Sequence, residues 1–259
     1  MTSVAPAIGA PNTSAASGFD PFGTVNERPA ICTAMPDEAA FFTALASRQS
    51  APLRVGMAAF QAITFADAEV LLVTSGIGLV NAAAAATLAI TRFGANLLIS
   101  AGSAGGMGAG VRVGDVVIGN ETAYTFADAT AFGRYVKGQV PQMPATYQAS
   151  PDLVRAALAA TEDGLQAYVG LLISSDAFIT ANNFTGIVQD FPTAQAADME
   201  TAALAQVAYS FDKPWVAVRG ISDLCGPVAA DDFVTHLADV AALSARVVHR
   251  VIRNLAVGN

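Results

Sequence analysis

The sequence has few of the side chains that hold metals or form disulfide frameworks. Its 259 residues include two cysteines, Cys32 and Cys225, and two histidines, His236 and His249. Two distant thiols make no framework, and their separation matches no metal-ligand spacing. We therefore expect no metal site, and the sequence indicates no cofactor.

Basic clusters and long apolar runs are also absent from the sequence. The formal net charge is −8 and no run of Lys and Arg occurs, whereas nucleic-acid binding needs clustered cations. No segment approaches the roughly 18 apolar residues of a membrane span. The first residues lack the basic and apolar regions of a signal peptide. We expect a cytoplasmic protein with neither nucleic acid nor membrane as a partner.

Apolar residues, in contrast, are plentiful. They make up 53% of the chain and charged residues only 13%, which predicts a large core and apolar surface hidden in an oligomer. Residues 1–28 are rich in Ala, Ser, Gly, Pro and Thr without apolar periodicity, and we interpret them as a flexible N-terminal extension. Residues 29–259 have a length that suits one α/β domain.

Predicted strands alternate with predicted helices along this domain. Short apolar runs predict strands at 29–34, 53–60, 68–74, 97–99, 115–118, 168–173 and 215–218. Periodic or Ala-rich patterns predict helices at 36–46, 80–93, 154–161, 201–211 and 232–255. Such alternation is typical of a single α/β domain with a central sheet flanked by helices.

The stretch 97–119 is the one that points to a ligand. Its apolar run at 97–99 leads into five small residues at 102–106, which we interpret as a turn. Glycine permits a positive φ and lets a ligand approach backbone N–H groups closely. Ligands of open α/β sheets bind beyond the carboxyl ends of the strands, where this turn would lie. Because the stretch matches neither a P-loop nor a dinucleotide-binding motif, it does not identify the ligand.

Acidic side chains follow several of the predicted strands. They are Glu38, Asp176, Asp198, Glu200 and Asp223. Any one of them could merely cap the next helix, but several acids that converge on one edge of a sheet favour a functional site. Neither histidine lies near a strand end, so the sequence does not predict Ser-His-Asp catalysis.

Together these motifs resemble the purine nucleoside phosphorylase and nucleosidase superfamily, and within it the 5′-methylthioadenosine/S-adenosylhomocysteine nucleosidases. The matching segments follow the family's order from about residue 29 to the C-terminus: 34–38, 102–106, 113–117, 128–133, 175–179, 198–203 and 219–223. The resemblance implies a mixed central sheet in a three-layer fold, a homodimer, and hydrolysis of the N-ribosidic bond to adenine.

The resemblance also implies roles for nine residues. Asp223 would protonate or hydrogen-bond the base at N7, and Glu38 would activate the attacking water. The others would bind the nucleoside: Ser103 and Gly105 in the small-residue turn, Phe178 and Ile179 at the base, Met199 and Glu200 at the ribose, and Ser222 beside the acid. Cleavage passes through a cationic sugar, so it needs an acid on the base, a positioned water and a carboxylate near the ribose.

Two departures from the family concern the 5′ side of the substrate. Arg134 stands where those nucleosidases carry an aromatic residue, and the short segment after Asp223 offers Ala229 and Ala230 where they place another. The preferred 5′-substituent therefore stays open.

Three alternative functions also stay open. A phosphorylase of this fold would carry an arginine three residues before Ser103, but that residue is Ser100, which disfavours a phosphate dianion in a dry site. A non-catalytic nucleoside-binding protein would not need Asp223 and Glu38, and both are present. A nucleosidase for another adenine nucleoside, such as aminodeoxyfutalosine, would share all of these residues.

Overall fold

The computed structural model describes residues 28–161 and 164–257. The predicted extension, residues 1–28, lies outside these ranges except for Arg28, which begins the first strand. The described ranges contain eleven strands: β1 (Arg28–Thr33), β2 (Arg48–Gln49), β3 (Leu53–Val55), β4 (Ala58–Phe65), β5 (Ala68–Thr74), β6 (Ala95–Gly106), β7 (Val116–Tyr124), β8 (Tyr147–Gln148), β9 (Ala167–Ser174), β10 (Ala194–Asp198) and β11 (Trp215–Asp223).

The same ranges contain six α-helices: α1 (Pro36–Leu45), α2 (Leu79–Thr91), α3 (Pro151–Ala159), α4 (Ala181–Asp190), α5 (Thr201–Ser210) and α6 (Ala229–Val257). None of these six combines the length and apolarity needed to cross a membrane.

The strands form one mixed sheet between two helical layers. Its order is β10-β9-β7-β11-β6-β1-β5-β4-β2, while β3 pairs with β4 and β8 with β7. Strands β5, β1, β6 and β11 are parallel, and β7 is antiparallel to β11. Helices α2 and α5 pack on one apolar cluster of the sheet, and α1, α3 and α6 on another. The predicted single α/β domain with a mixed central sheet is confirmed.

The long strand β6 closes part of this sheet on itself. Its last residues, Gly105 and Gly106, pair antiparallel with Ala197 and Ala196 of β10. Because β6 also pairs with β11, the path β6-β11-β7-β9-β10 returns to its start. The closure brings the end of β6 next to the ends of β10 and β11.

The segment 102–106 is part of a strand, so the predicted turn is wrong. Within β6 only Gly102 has a positive φ, +141°. A Cβ added to Gly105 would lie 2.6 Å from Sγ of Cys225, and one added to Gly106 would lie 2.9 Å from its nearest side-chain neighbour. These small residues allow close packing against β11 and against the loops that follow β6 and β11.

Further elements differ from the sequence prediction, and strands β2, β8 and β10 have no counterpart among the predicted strands. The predicted strand 53–60 is two strands, β3 and β4, joined by a turn in which Gly56 has a φ of +62°. Helix α4 has no counterpart among the predicted helices, because Asn182, Asn183 and Gly186 give it a low helix propensity.

Candidate active site

One cavity of about 340 Å³ lies where β6, β10 and β11 meet. All nine residues with predicted roles line it: Glu38, Ser103, Gly105, Phe178, Ile179, Met199, Glu200, Ser222 and Asp223. They come from five segments that are far apart in sequence, so the fold assembles the site. The geometry brings these residues together, while the role of each stays a prediction.

The carboxylate of Glu38 is fixed by four hydrogen bonds. Its Oε2 accepts the backbone N–H groups of Ala34 at 2.9 Å and Met35 at 3.2 Å. Its Oε1 accepts the N–H and the hydroxyl of Ser103, at 2.9 and 3.0 Å. Gly102 leaves room for this group, because a Cβ there would overlap with Oε1. Glu38 therefore caps α1 and joins it to β6 in the cavity wall.

Asp223 ends β11 and is 1% exposed. Its Oδ1 accepts the N–H of Cys225 at 2.9 Å, and its Oδ2 accepts the hydroxyl of Ser222 at 3.0 Å. Burial raises the pKa of Asp223 and the charge of Asp232 adds to this, although the two hydrogen bonds lower it. A raised pKa suits a carboxyl that must carry a proton to a base.

Cys225 lines the same wall as Asp223. Burial, with the nearby charge of Asp223, raises the pKa of its thiol to about 12. At neutral pH the group is therefore a neutral thiol, which is a poor nucleophile.

Glu200 belongs to a buried network around Arg219. Its Oε1 accepts the N–H of Gly78 at 3.0 Å, and its Oε2 lies 3.6 Å from Nη1 of Arg219. Nη2 of Arg219 lies 2.9 Å from Oδ2 of Asp198 and donates to Oγ of Ser100 at 2.6 Å. Burial raises the pKa of Glu200 to about 7, with Arg219 opposing the shift and Asp198 adding to it.

Arg219 was included in a family motif in the sequence analysis, but no role in the site was predicted for it. It is 1% exposed and stands in a strand whose nine residues are all buried. A charged residue in the middle of an apolar run has to be paired when the run is buried. The position of Arg219 directly after the apolar run 215–218 was therefore a signal in the sequence.

Across the described ranges, no group of three or more His, Cys, Asp or Glu side chains is arranged to hold a metal ion.

The outer wall of the cavity is apolar. Phe178 packs against Phe233 with ring centroids 5.8 Å apart, and Ala230 lines the cavity beside them. Phe233 thus adds an aromatic ring to the cavity wall. Arg134 is exposed, and its guanidinium lies 5.1 Å from the ring centroid of Tyr135. Arg134 is not among the described residues that line the cavity.

The sequence profile of the phosphorylase superfamily matches residues 28–253. The chain belongs to the phosphorylase superfamily. The predicted resemblance is therefore confirmed for nearly all of the described residues, including every segment that lines the cavity.

Similar members of this superfamily are nucleosidases. A 5′-methylthioadenosine/S-adenosylhomocysteine nucleosidase of Staphylococcus saprophyticus is 43% identical over 193 residues, which are 73% of this chain and 83% of the relative. The nucleosidase of that name from Neisseria meningitidis, solved in complex with methylthio-immucillin-A, superposes with a TM-score of 0.85 at 36% identity. The match covers 88% of this chain and 100% of that one.

A third comparison involves a bound base. The corresponding nucleosidase from Colwellia psychrerythraea, solved in complex with adenine, superposes with a TM-score of 0.84 at 32% identity. The match covers 87% of this chain and 94% of that one. The superfamily fold of this chain is thus shared with nucleosidases over most of its length.

Proposed function

We propose that the protein is an N-glycosyl hydrolase that cleaves nucleosides of the 5′-methylthioadenosine/S-adenosylhomocysteine type and releases adenine. The observation that carries this proposal is the single cavity in which Asp223, Glu38 and Glu200 are all buried. The 43% identity to a nucleosidase of that name supports the choice of substrate. N-ribosidic cleavage needs an acid for the base, a carboxylate for the water and a carboxylate near the ribose.

Asp223 acts on the leaving base. Its protonated carboxyl donates to N7 of adenine, and its other oxygen accepts from the N6 amino group. As the bond between C1′ and N9 breaks, its electron pair goes to the base and the proton moves to N7, so that adenine leaves as a neutral molecule. Ser222 and the N–H of Cys225 hold the carboxyl in place. Phe178 stacks on the base, and Ile179 offers its backbone groups.

Glu38 acts on the water that attacks C1′. It takes one proton from this water as the bond from oxygen to C1′ forms, and the free sugar results. Because four hydrogen bonds fix the carboxylate, the water is oriented and not merely bound. Ser103 and Gly105 form the wall of β6 beside it.

Glu200 and Met199 act on the ribose. The carboxylate of Glu200 accepts hydrogen bonds from the ribose hydroxyls, and Met199 packs against the sugar. The negative charge of Glu200 also stabilises the positive charge that develops on the sugar ring in the transition state.

The charge distribution favours water over phosphate as the nucleophile. Arg219 places a guanidinium next to Ser100, but Asp198 and Glu200 already pair with its charge. A phosphate dianion would lie close to the carboxylates of Glu38 and Glu200 in a buried region. None of the described residues that line the cavity is a cation that could pair with it.

Release of adenine from methylthioadenosine, with and without phosphate, tests the proposal. We expect adenine and the free sugar in phosphate-free buffer. A strict requirement for phosphate, with the sugar 1-phosphate as product, would make the protein a phosphorylase. Binding without release would make it a nucleoside-binding protein. Substrates that differ at the 5′ position, aminodeoxyfutalosine among them, rank the preferred 5′-substituents in the same assay.

We also propose that the protein is a cytoplasmic homodimer. Three large apolar side chains of the cavity wall are exposed, namely Ile77 at 50%, Phe178 at 40% and Val234 at 76%. A second copy that covers them removes apolar surface from water and shields the cavity. The cytoplasmic location rests on the sequence alone.

A further inference from the structure

The first turn of α2 is capped by a side chain from a distant segment. The N-cap of α2 is Gly78, which has no side chain, and the first turn contains no acidic residue. Oδ1 of Asp176 accepts the N–H of Leu79 at 2.8 Å. Asp176 follows β9 and is exposed, and it does not line the cavity. It therefore holds α2 from outside the site.

The adjacent N–H group of α2 points into the site. Gly78 donates to Oε1 of Glu200 at 3.0 Å, so two successive N–H groups are held by carboxylates from two segments. Gly78 has a φ of +102°, and a Cβ on it would lie 2.7 Å from Oδ1 of Asp176. Asp176 thus lies directly against the residue that contacts Glu200. The segment before Gly78 is tied to the end of β1, because Ser75 and Gly76 donate their N–H groups to the carbonyl oxygens of Thr33 and Ala34.

We infer that Asp176 is a positioning residue for the ribose site: by fixing the first turn of α2, it keeps the N–H of Gly78 on Glu200 and aligns the carboxylate that holds the ribose hydroxyls. The inference rests on the proposed function, which places the ribose on Glu200. Asp176 does not line the cavity and acts only through α2.

Loss of the bond from Gly78 has an electrostatic consequence at Glu200. An N–H donor favours the charged form of a carboxylate, and this bond lowers the pKa of Glu200 against the effect of burial. The other charged groups that face Glu200 are Arg219, Asp198 and Glu38. None of these three groups accepts the N–H of Leu79, which Asp176 holds. A change at Asp176 therefore acts on Glu200 through Gly78.

Three variants separate positioning from simple helix capping. Asp176→Ala removes the acceptor, and Asp176→Asn keeps an acceptor oxygen. Ser150→Ala is the matched control, because Ser150 caps α3, of which no residue lines the cavity. Loss of a cap costs about 1 kcal/mol, so thermal stability should fall in both alanine variants.

The kinetic readouts should differ between the two alanine variants. We expect Asp176→Ala to lower kcat/KM for methylthioadenosine about 10- to 100-fold, as small displacements in a site do, and to move the acidic limb of its pH profile to higher pH. Asp176→Asn should restore most of kcat/KM. Ser150→Ala should leave both readouts unchanged. Wild-type kinetics for Asp176→Ala, or a loss of kcat/KM without a shift of the acidic limb, would overturn the inference.

A binding measurement keeps the inference independent of turnover. The 7-deaza analogue of methylthioadenosine keeps the ribose hydroxyls but lacks the N7 that receives the proton. In calorimetry, Asp176→Ala should bind this analogue about tenfold more weakly than wild type, and the difference should vanish with the 2′,3′-dideoxy form. If wild type binds the analogue but releases no adenine from methylthioadenosine itself, the proposed hydrolase fails and the inference is still judged by binding. If wild type hydrolyses its substrate and Asp176→Ala binds normally, the inference alone fails.

Discussion

At the scale of single residues, acids that cap helices also form the candidate site. Glu38 caps α1, and Asp198 accepts the N–H groups of Glu200 and Thr201 at the start of α5. Helices that begin at strand ends direct their positive N-termini toward the same edge, so capping and ligand binding use the same carboxylates. Sequence patterns located these acids. They could not show that Glu38 is buried while its neighbour Asp37 is exposed, since that depends on contacts with β6.

The environment of Glu38 predicts the effect of Glu38→Gln. We expect turnover to fall about 10² to 10⁴-fold, the usual contribution of an acid–base group. All four partners donate, so the amide nitrogen of Gln would face donors and lower Tm as well. Turnover is measured below the Tm of the variant, with the exposed Asp37→Asn in the same helical turn as control. Near-normal turnover in Glu38→Gln would remove Glu38 from the mechanism.

The raised pKa of Glu200 predicts a pH dependence of stability. The native state keeps the proton of Glu200 up to about pH 7, whereas the unfolded chain releases it near 4.5. Between these values the native state binds more protons, so the free energy of unfolding should fall as pH rises. Urea unfolding from pH 4.5 to 7 should give a smaller fall for Glu200→Gln than for wild type. Asp223 contributes with the same sign in both proteins, so parallel curves would contradict the raised pKa of Glu200.

At the scale of elements, local patterns predicted the alternation of strands and helices but not where strands end. The apolar run 215–218 predicted only the first part of β11, because Arg219, Ser222 and Asp223 interrupt the pattern. These buried polar residues pair with groups of β6, β10 and the loop after β11. The closure of β6 on β10 is likewise non-local. A sequence pattern the length of one strand carries no signal for such contacts between distant segments.

The glycine in the middle of β6 predicts a site-specific loss of activity. A methyl group at Gly102 would overlap with Oε1 of Glu38, so Gly102→Ala should displace the carboxylate and lower turnover at least tenfold. Gly114→Ala is the control, because Gly114 also has a positive φ, +90°, but has open space around it. Both variants should lose about 1–2 kcal/mol from backbone strain, measured by urea unfolding. Equal kinetic losses in the two variants would refute a specific role of the space at Gly102.

At the scale of the whole molecule, the family motifs named more of the residues that line the cavity than the physical patterns did. Periodicity and composition indicated a sheet edge with acids, and the nine named residues came from the resemblance. Phe233 shows the limit of that transfer. Ala229 and Ala230 stand where the family carries an aromatic residue, but Phe233 of the same helix packs against Phe178 in the cavity wall. A position-by-position comparison does not show this contact.

The exposed rim of the cavity predicts the state of association. Val80, in the first turn of α2 next to Ile77, is 78% exposed. An aspartate near a helix N-terminus is favourable, so Val80→Asp should leave α2 folded while it places a charge in the proposed dimer contact. By light scattering at micromolar concentration we expect wild type and the control Met57→Asp to be dimers, since Met57 is 72% exposed in the turn between β3 and β4. Val80→Asp should be a monomer with reduced turnover, because water then reaches the cavity that the second copy shields. A monomeric wild type would refute the homodimer, and a dimeric Val80→Asp would place its contact elsewhere on the surface.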